Sequence, residues 1–292
     1  MIPLEVSGLS KSFGGVRAVH DVSFALRQTE LLAMIGPNGA GKSTCFNMLN
    51  GQLRPDAGRV GLFGHDIVGL RPRQVWRLGV GRTFQITATF NSMTVIENVQ
   101  MTLVSHHRRL RAMLPFMGDL YRDEARDLLA LVGMADQANR ISSTLAYGDL
   151  KRLELAMALA NEPKILLMDE PTAGMAPKER IQLMQLTADI VHERDLSVLF
   201  TEHDMDVVFN HADRILVLNR GELVAEGRAT FPAKCPAAGL MGTLPAGWAG
   251  CAGWPYLVFL RIHSVFFWFS HGISSATMPR VTPTLVPVTP AL

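Results

Sequence analysis

Cysteine is scarce in this chain: Cys45, Cys235 and Cys251 are its only three among 292 residues. Three thiols at those spacings build neither a disulfide framework nor a zinc site. Charge is sparse and balanced, with 28 Lys and Arg against 26 Asp and Glu and a formal net charge of +2. A balance so near neutral argues against the basic footprint of a nucleic-acid binder, and no nucleic-acid partner is expected. The N-terminal stretch MIPLEVSGLSKSF lacks a basic segment followed by an apolar run. No secretory signal is therefore expected, and the chain reads as an intracellular globular protein. Apolar residues make up 48%, which supplies a sizeable core and excludes wholesale disorder.

Acidic residues are missing altogether from residues 231–292, which carry Lys234, Arg261 and Arg280. The first 230 residues hold 25 basic against 26 acidic residues. Three of the four tryptophans (Trp248, Trp254, Trp268) and half of the sixteen prolines also fall in the tail. This break predicts a boundary near Phe231, with a body over 1–230 and an atypical hydrophobic, Pro-rich tail over 231–292. Within the tail, Trp254–Phe269 is strongly apolar but contains Pro255, Arg261 and His263. A membrane span needs about 20 mostly apolar residues, so a buried or loosely packed segment is expected before a span, and the tail as a whole reads as an atypical, disordered extension of the kind a shifted reading frame produces. No internal repeat is visible.

The body alternates strand-like and helix-like segments. The pattern predicts strands at Leu31–Ile35, Arg59–Phe63, Lys164–Met168, Leu196–Phe200 and Ile215–Leu218. Helices are predicted at Lys42–Leu49, Met93–Ser105, Leu120–Val132, Leu150–Ala160 and Lys178–Val191. Such alternation implies an α/β fold with a largely parallel sheet. A mostly helical stretch from about 87 to 160 interrupts it and reads as an inserted helical subdomain.

Between the strand at Leu31–Ile35 and the helix at Lys42 runs Gly36-Pro37-Asn38-Gly39-Ala40-Gly41-Lys42-Ser43-Thr44. This matches the phosphate-binding pattern G-x-x-x-x-G-K-[ST]. Glycines let backbone N–H groups curl around phosphate oxygens, and the following helix points its positive end at the same anion. Lys42 is placed to reach the β- and γ-phosphates, and Ser43 to offer a hydroxyl to Mg²⁺. A glycine-rich turn alone would not sit between a buried strand and a helix, so nucleotide binding is expected. Further on, an apolar strand ends in Asp169-Glu170. Asp169 is a candidate Mg²⁺ group, direct or through water. Glu170, just past the strand, is a candidate general base for an attacking water.

With these motifs in order, the chain resembles the nucleotide-binding subunit of an ABC transporter over about residues 4–228. The resemblance implies a P-loop ATPase core with a small antiparallel β part and a helical subdomain. It also implies ATP and Mg²⁺ as cofactors. Phe13, in Ser-Phe-Gly-Gly, matches the aromatic that stacks on adenine, and stacking is expected in preference to a buried core phenylalanine. Gln85 matches the glutamine that senses Mg²⁺ and couples to membrane subunits. Leu145-Ala146-Tyr147-Gly148-Asp149 matches the signature loop, whose backbone contacts the γ-phosphate on the opposite subunit. Ala173–Ala176 matches the dimer-contact loop that follows Glu170. His203 matches the histidine at the γ-phosphate; a lone histidine is more often a surface or core residue, but this one follows a predicted strand.

Two positions depart from the family pattern. Ala146 stands where a serine is usual, which removes a donor to the γ-phosphate. Asp149 stands where a glutamine is usual, which adds a carboxylate near the nucleotide interface. Losing one hydrogen bond to a charged group costs about 1.5–3 kcal/mol if nothing replaces it, so weakened or tuned closure is expected rather than an inactive subunit.

The segments Gly81–Phe90, Met93–Val99 and Ala146–Ala156 resemble the ATPases of branched-chain amino-acid importers. ATPases of urea or amide importers, of lipopolysaccharide export, or of a non-transport ABC protein remain alternatives. The implied partners are membrane-spanning permease subunits and a second ATPase subunit, identical or related, with a solute-binding protein acting indirectly. The implied place is peripheral, on the cytoplasmic face of the plasma membrane.

Every nucleotide motif ends by His203, so deleting residues 231–292 is expected to leave ATP binding and hydrolysis intact. Turnover, thermal stability and vesicle flotation of the full and shortened chains check this. A shortened chain that cannot fold would overturn it.

Overall fold

The structure, a computed structural model, describes residues 2–83, 89–107 and 119–229. Gln85 and the tail over 231–292 lie outside the described residues.

Five-residue apolar runs define the centre of the molecule. Strands β1 (Leu4–Phe13) and β2 (Val16–Leu26) are followed by β3 (Leu31–Ile35), α1 (Lys42–Leu49), β4 (Ala57–Leu62) and β5 (His65–Asp66). Then come α2 (Pro72–Arg77), β6 (Val80–Thr83), α3 (Val95–His106), α4 (Arg122–Leu131) and α5 (Tyr147–Leu159). The chain continues through β7 (Ile165–Asp169), α6 (Pro177–Glu193), β8 (Ser197–Thr201), α7 (Met205–His211), β9 (Arg214–Asn219) and β10 (Glu222–Arg228).

Six strands form one sheet in the order β10-β9-β3-β8-β7-β6. Its pairings are parallel except for the β9–β10 hairpin. A second, antiparallel sheet runs β2-β1-β4-β5. A strand's side chains alternate between faces, and the large sheet uses both. Leu31, Ala33 and Ile35 of β3 join a core with α3, α4 and α5. Leu32 and Met34, from the same strand, join the core under the small sheet and α1. Strands buried on both faces read as continuous apolar runs, which is why β3, β7 and β8 were visible in the sequence.

The expected helices and strands are present, with shifted ends. α3 starts at Val95 rather than Met93 because Thr94 caps it: Thr94 N donates to Glu97 Oε2 at 2.7 Å, and Thr94 Oγ1 accepts from Glu97 N at 3.4 Å. α5 starts at Tyr147, three residues before the expected Leu150, and so takes Gly148 into its first turn. β1, β2 and β5 were expected only as the small antiparallel part that the resemblance implied, and β6, α2 and α7 were not anticipated. The latter three are short, and β6 (Val-Gly-Arg-Thr) has no apolar periodicity; only its pairing with β7 makes it a strand. Cys45 is wholly buried in α1, and burial pushes its thiol up to about 12. It is therefore protonated at neutral pH.

At the sheet end remote from the phosphate loop, Arg214 lies between Glu30 and Glu226. Arg214 Nε and Nη2 donate to the two Glu30 oxygens, each at 2.8 Å. Arg214 also bonds Glu226 and the carbonyl of Ala25. Burial pushes the Glu30 carboxyl up, but Arg214 and the backbone N–H of Arg27 outweigh it and hold it below its ordinary value. A depressed carboxylate stabilises the fold above its unfolded pKa and loses that contribution as pH falls through the folded value.

Arg214→Met would leave Glu30 buried without its bidentate partner. The expected loss is about 3–5 kcal/mol at neutral pH, shrinking in acid as Glu30 protonates. Urea unfolding at two pH values measures it; equal stability to the parent would overturn this account.

Candidate nucleotide site

The loop from Gly36 to Gly41 leaves β3 at its carboxyl end and enters α1. Two of its glycines are demanded by space. A Cβ on Gly36 would lie 2.2 Å from the Leu218 carbonyl oxygen, and one on Gly41 would lie 2.4 Å from that of Ala18. Gly41 also has φ of +101°, in the region that favours glycine. Gly39 has φ of +80° but faces open space, which leaves room above the loop. Pro37 is half-buried, Asn38 exposed and Ala40 buried. Ser43 is exposed at the start of α1 and Thr44 is half-buried.

Lys42 is buried, and its Nζ donates to the carbonyls of Gly36 at 2.7 Å and Pro37 at 3.2 Å. Burial pushes its pKa down, and the nearby charges of Glu170 and Asp169 oppose that without cancelling it. The lysine, the glycine loop and the two acids thus form one electrostatic unit.

Parallel strands put their carboxyl ends side by side. β7 and β8 pair with Asp169 opposite Thr201. Thr201 Oγ1 donates to Asp169 Oδ1 at 2.8 Å and accepts from Glu170 N at 3.0 Å. Arg82 Nη2 faces the other Asp169 oxygen at 3.4 Å. Burial lowers the Arg82 pKa, while Asp169 acts to raise it. Glu170 has φ of +49°, a conformation uncommon outside glycine. Its Oε1 is 2.9 Å from His203 Nε2. Glu202, 3% exposed, joins the loops on either side: it accepts from Thr172 N and Oγ1 at 2.9 and 2.6 Å and from His203 N at 3.1 Å.

Lys42, Asp169, Glu170 and His203 are therefore together. Phe13 ends β1, half-exposed, before the strand that carries Ala18 over Gly41. Gly148 lies elsewhere and is buried, where the first turn of α5 meets that of α6. A Cβ on Gly148 would lie 3.3 Å from the Glu179 carboxylate, and one on Gly174 would lie 3.3 Å from the Tyr147 ring. Ala146 is the residue before α5 and gives that helix no side-chain cap. Asp149 turns its carboxylate to Gln137, whose Nε2 donates at 3.1 Å.

Thr201, Glu202, Thr172 and Arg82 escaped the sequence reading. Thr201 and Glu202 immediately precede His203, yet only the register of β8 beside β7 gives them a role. Ser43 and Asp169 offer the oxygen donors that Mg²⁺ takes. Among the described residues there is no cluster of three or more His, Cys, Asp or Glu able to hold a metal. A pair of protein oxygens fits a cation that completes its shell with phosphate and water.

Thr201→Val keeps the volume but removes the hydroxyl that joins Asp169 to the Glu170 backbone. A loss of about 1–3 kcal/mol is expected, with turnover falling more than nucleotide affinity. Thermal unfolding and paired binding and turnover assays check it; unchanged turnover would refute the supporting role.

Residues 19–173 match the family model described as ABC transporter. The chain is 43% identical over 235 residues to the high-affinity branched-chain amino acid transport ATP-binding protein LivG of Salmonella typhimurium, covering 77% of this chain and 91% of that one. It superposes on the ADP conformation of MJ1267, an ATP-binding cassette of an ABC transporter, with a TM-score of 0.70 and 29% identity, over 78% of this chain and 91% of that chain. It also matches the dimeric post-hydrolysis cassette MJ0796 bound to ADP and Pi, with a TM-score of 0.67 and 26% identity, over 78% and 99% of the two chains. Glycine loop, paired acids and histidine thus recur in a chain similar along most of its length to known cassettes: this protein belongs to the ABC transporter family, as an ATP-binding, ATP-hydrolysing subunit.

Proposed function

We propose that this chain powers the import of branched-chain amino acids, hydrolysing ATP at a composite site shared by two ATPase subunits. The observation that carries the chemistry is the 2.9 Å contact between Glu170 and His203, set beside Lys42 and Asp169. The substrate reading rests on the 43% identity to LivG and on the Arg82-Thr-Phe-Gln85 and Ala146–Ala156 segments.

In this reading the loop from Gly36 to Thr44 wraps the phosphates with backbone N–H groups, and Lys42 leaves its carbonyl partners for the β- and γ-phosphate oxygens. Phe13 stacks on adenine. Ser43 and Asp169, with Gln85, would hold Mg²⁺, which when bound would supply positive charge to the phosphates. Glu170 accepts a proton from the water that attacks the γ-phosphorus. His203 orients Glu170 and contacts the γ-phosphate. The Gly148 loop of a second subunit closes the site from the other side, so ATP bridges the two surfaces and its hydrolysis releases them.

The movement has an outlet. A groove of about 510 Å³ lies between α2, β6, α3 and α5, with Trp76, Val80, Arg82, Phe90 and Met157 among its walls. A permease subunit docks there and converts closure into alternating access. A solute-binding protein delivers the amino acid to the permease. Among the described residues no helix is long and apolar enough to cross a membrane, consistent with a peripheral subunit held on the cytoplasmic face by its partners. The body over 1–230 carries this function, and the 231–292 tail has no part in it.

Glu170→Gln is expected to leave ATP binding nearly intact and lower turnover at least roughly tenfold, a conservative bound beside the about 10²–10⁴-fold that a general base typically contributes. Steady-state hydrolysis measured beside nucleotide binding tests this. Unchanged turnover would remove Glu170 from the chemistry.

A further inference from the structure

Arg82 reaches the candidate site from the edge of the sheet. β6 pairs with β7 in parallel, so its side chain lies along the route to the Asp169 end. The arginine is 11% exposed and the aspartate 8%. Arg82 Nη1 donates to Asn47 Oδ1 at 2.9 Å and Gln52 Oε1 at 3.2 Å. Its Nη2 stands 3.4 Å from Asp169 Oδ2.

These distances are unequal in a telling way. A charge-assisted N–H···O bond is ordinarily about 2.7–2.9 Å, so Arg82 is drawn to α1 and its following turn more closely than to Asp169. Meanwhile Thr201 fixes the other oxygen of that carboxylate at 2.8 Å. Only Oδ2 is left with a partner that can yield it. A guanidinium does not lose its proton in proteins, so its charge beside Oδ2 is relieved only by moving the side chain. A divalent cation approaching that oxygen meets a like charge.

We propose that Arg82 is a positioning residue that competes with the divalent cation for Asp169 Oδ2, with Asn47 and Gln52 holding it partly away. The proposal rests on the reading of Asp169 as an Mg²⁺ group. Arg82 also lines the 510 Å³ groove, so the side chain that sets the state of Asp169 is reachable from outside the nucleotide site.

The test uses the full chain and a non-hydrolysable ATP analogue. Nucleotide binding is followed while Mg²⁺ is titrated, with thermal unfolding as the check on folding. Arg82→Gln is expected to lower the half-saturating Mg²⁺ concentration by roughly three- to tenfold, as expected for removing one like charge from a partly solvated site. Affinity for the nucleotide without Mg²⁺ should stay the same. Gln52→Ala, at an exposed position, should act in the opposite direction, because it removes one of the two contacts that draw Nη1 away from Asp169. Half-saturation that is unchanged or raised in a folded Arg82→Gln protein overturns the proposal. If that variant fails to fold, Gln52→Ala decides: raised half-saturation supports the proposal, and unchanged or lowered half-saturation overturns it. Asp169→Asn separates the two ideas. If it leaves the Mg²⁺ dependence unaltered, the reading of Asp169 itself falls. If it alone shifts the dependence, only the role of Arg82 falls.

Discussion

Asp169 lies opposite Thr201 because β7 and β8 run parallel and in register, and most of the candidate site depends on that pairing. Parallel strands deliver their loops to the same edge of the sheet. The loop after β3, the acids after β7 and the histidine after β8 therefore converge without any contact in sequence. Thr201 then uses one hydroxyl to fix both a side chain and a backbone: the Asp169 carboxylate and the Glu170 N–H. The left-handed backbone of Glu170 is held from two sides, by Thr201 below and His203 beside it.

The two ends of the large sheet handle buried charge differently. At the remote end, Arg214 meets Glu30 with two matched bonds, and the arrangement is closed. At the nucleotide end, Lys42 rests on loop carbonyls, and Arg82 stands at a long distance from Asp169. Pairs of this second kind are easily rearranged, which suits groups that must exchange partners when phosphates enter. Burial raises the cost of leaving such charges alone, and mutual proximity keeps the cluster together.

A single copy leaves Ala146 and Tyr147 exposed at the start of α5. Gly148, next to them, is buried with the Glu179 carboxylate close by, and Tyr147 packs on Gly174. Ala146 offers that turn no capping oxygen, while Asp149 is engaged by Gln137. The added carboxylate is thus engaged within its own subunit.

The sequence alone determined the features that are local. Glycine spacing before Lys42 specified the loop because only backbone without Cβ fits there, and both Gly36 and Gly41 proved sterically obligatory. Unbroken apolar runs specified β3, β7 and β8 because those strands are buried on two faces. Asp169 and Glu170 were visible as acids ending such a run. Tertiary structure decided what depends on strand order. Nothing in Val-Gly-Arg-Thr announces a strand, and β6 exists through its pairing with β7. Thr201 and Arg82 look like ordinary polar residues until that order sets them on either side of one carboxylate. A period-two pattern encodes which residues are buried, but not which strand lies next to which; that choice is made only when the whole sheet assembles.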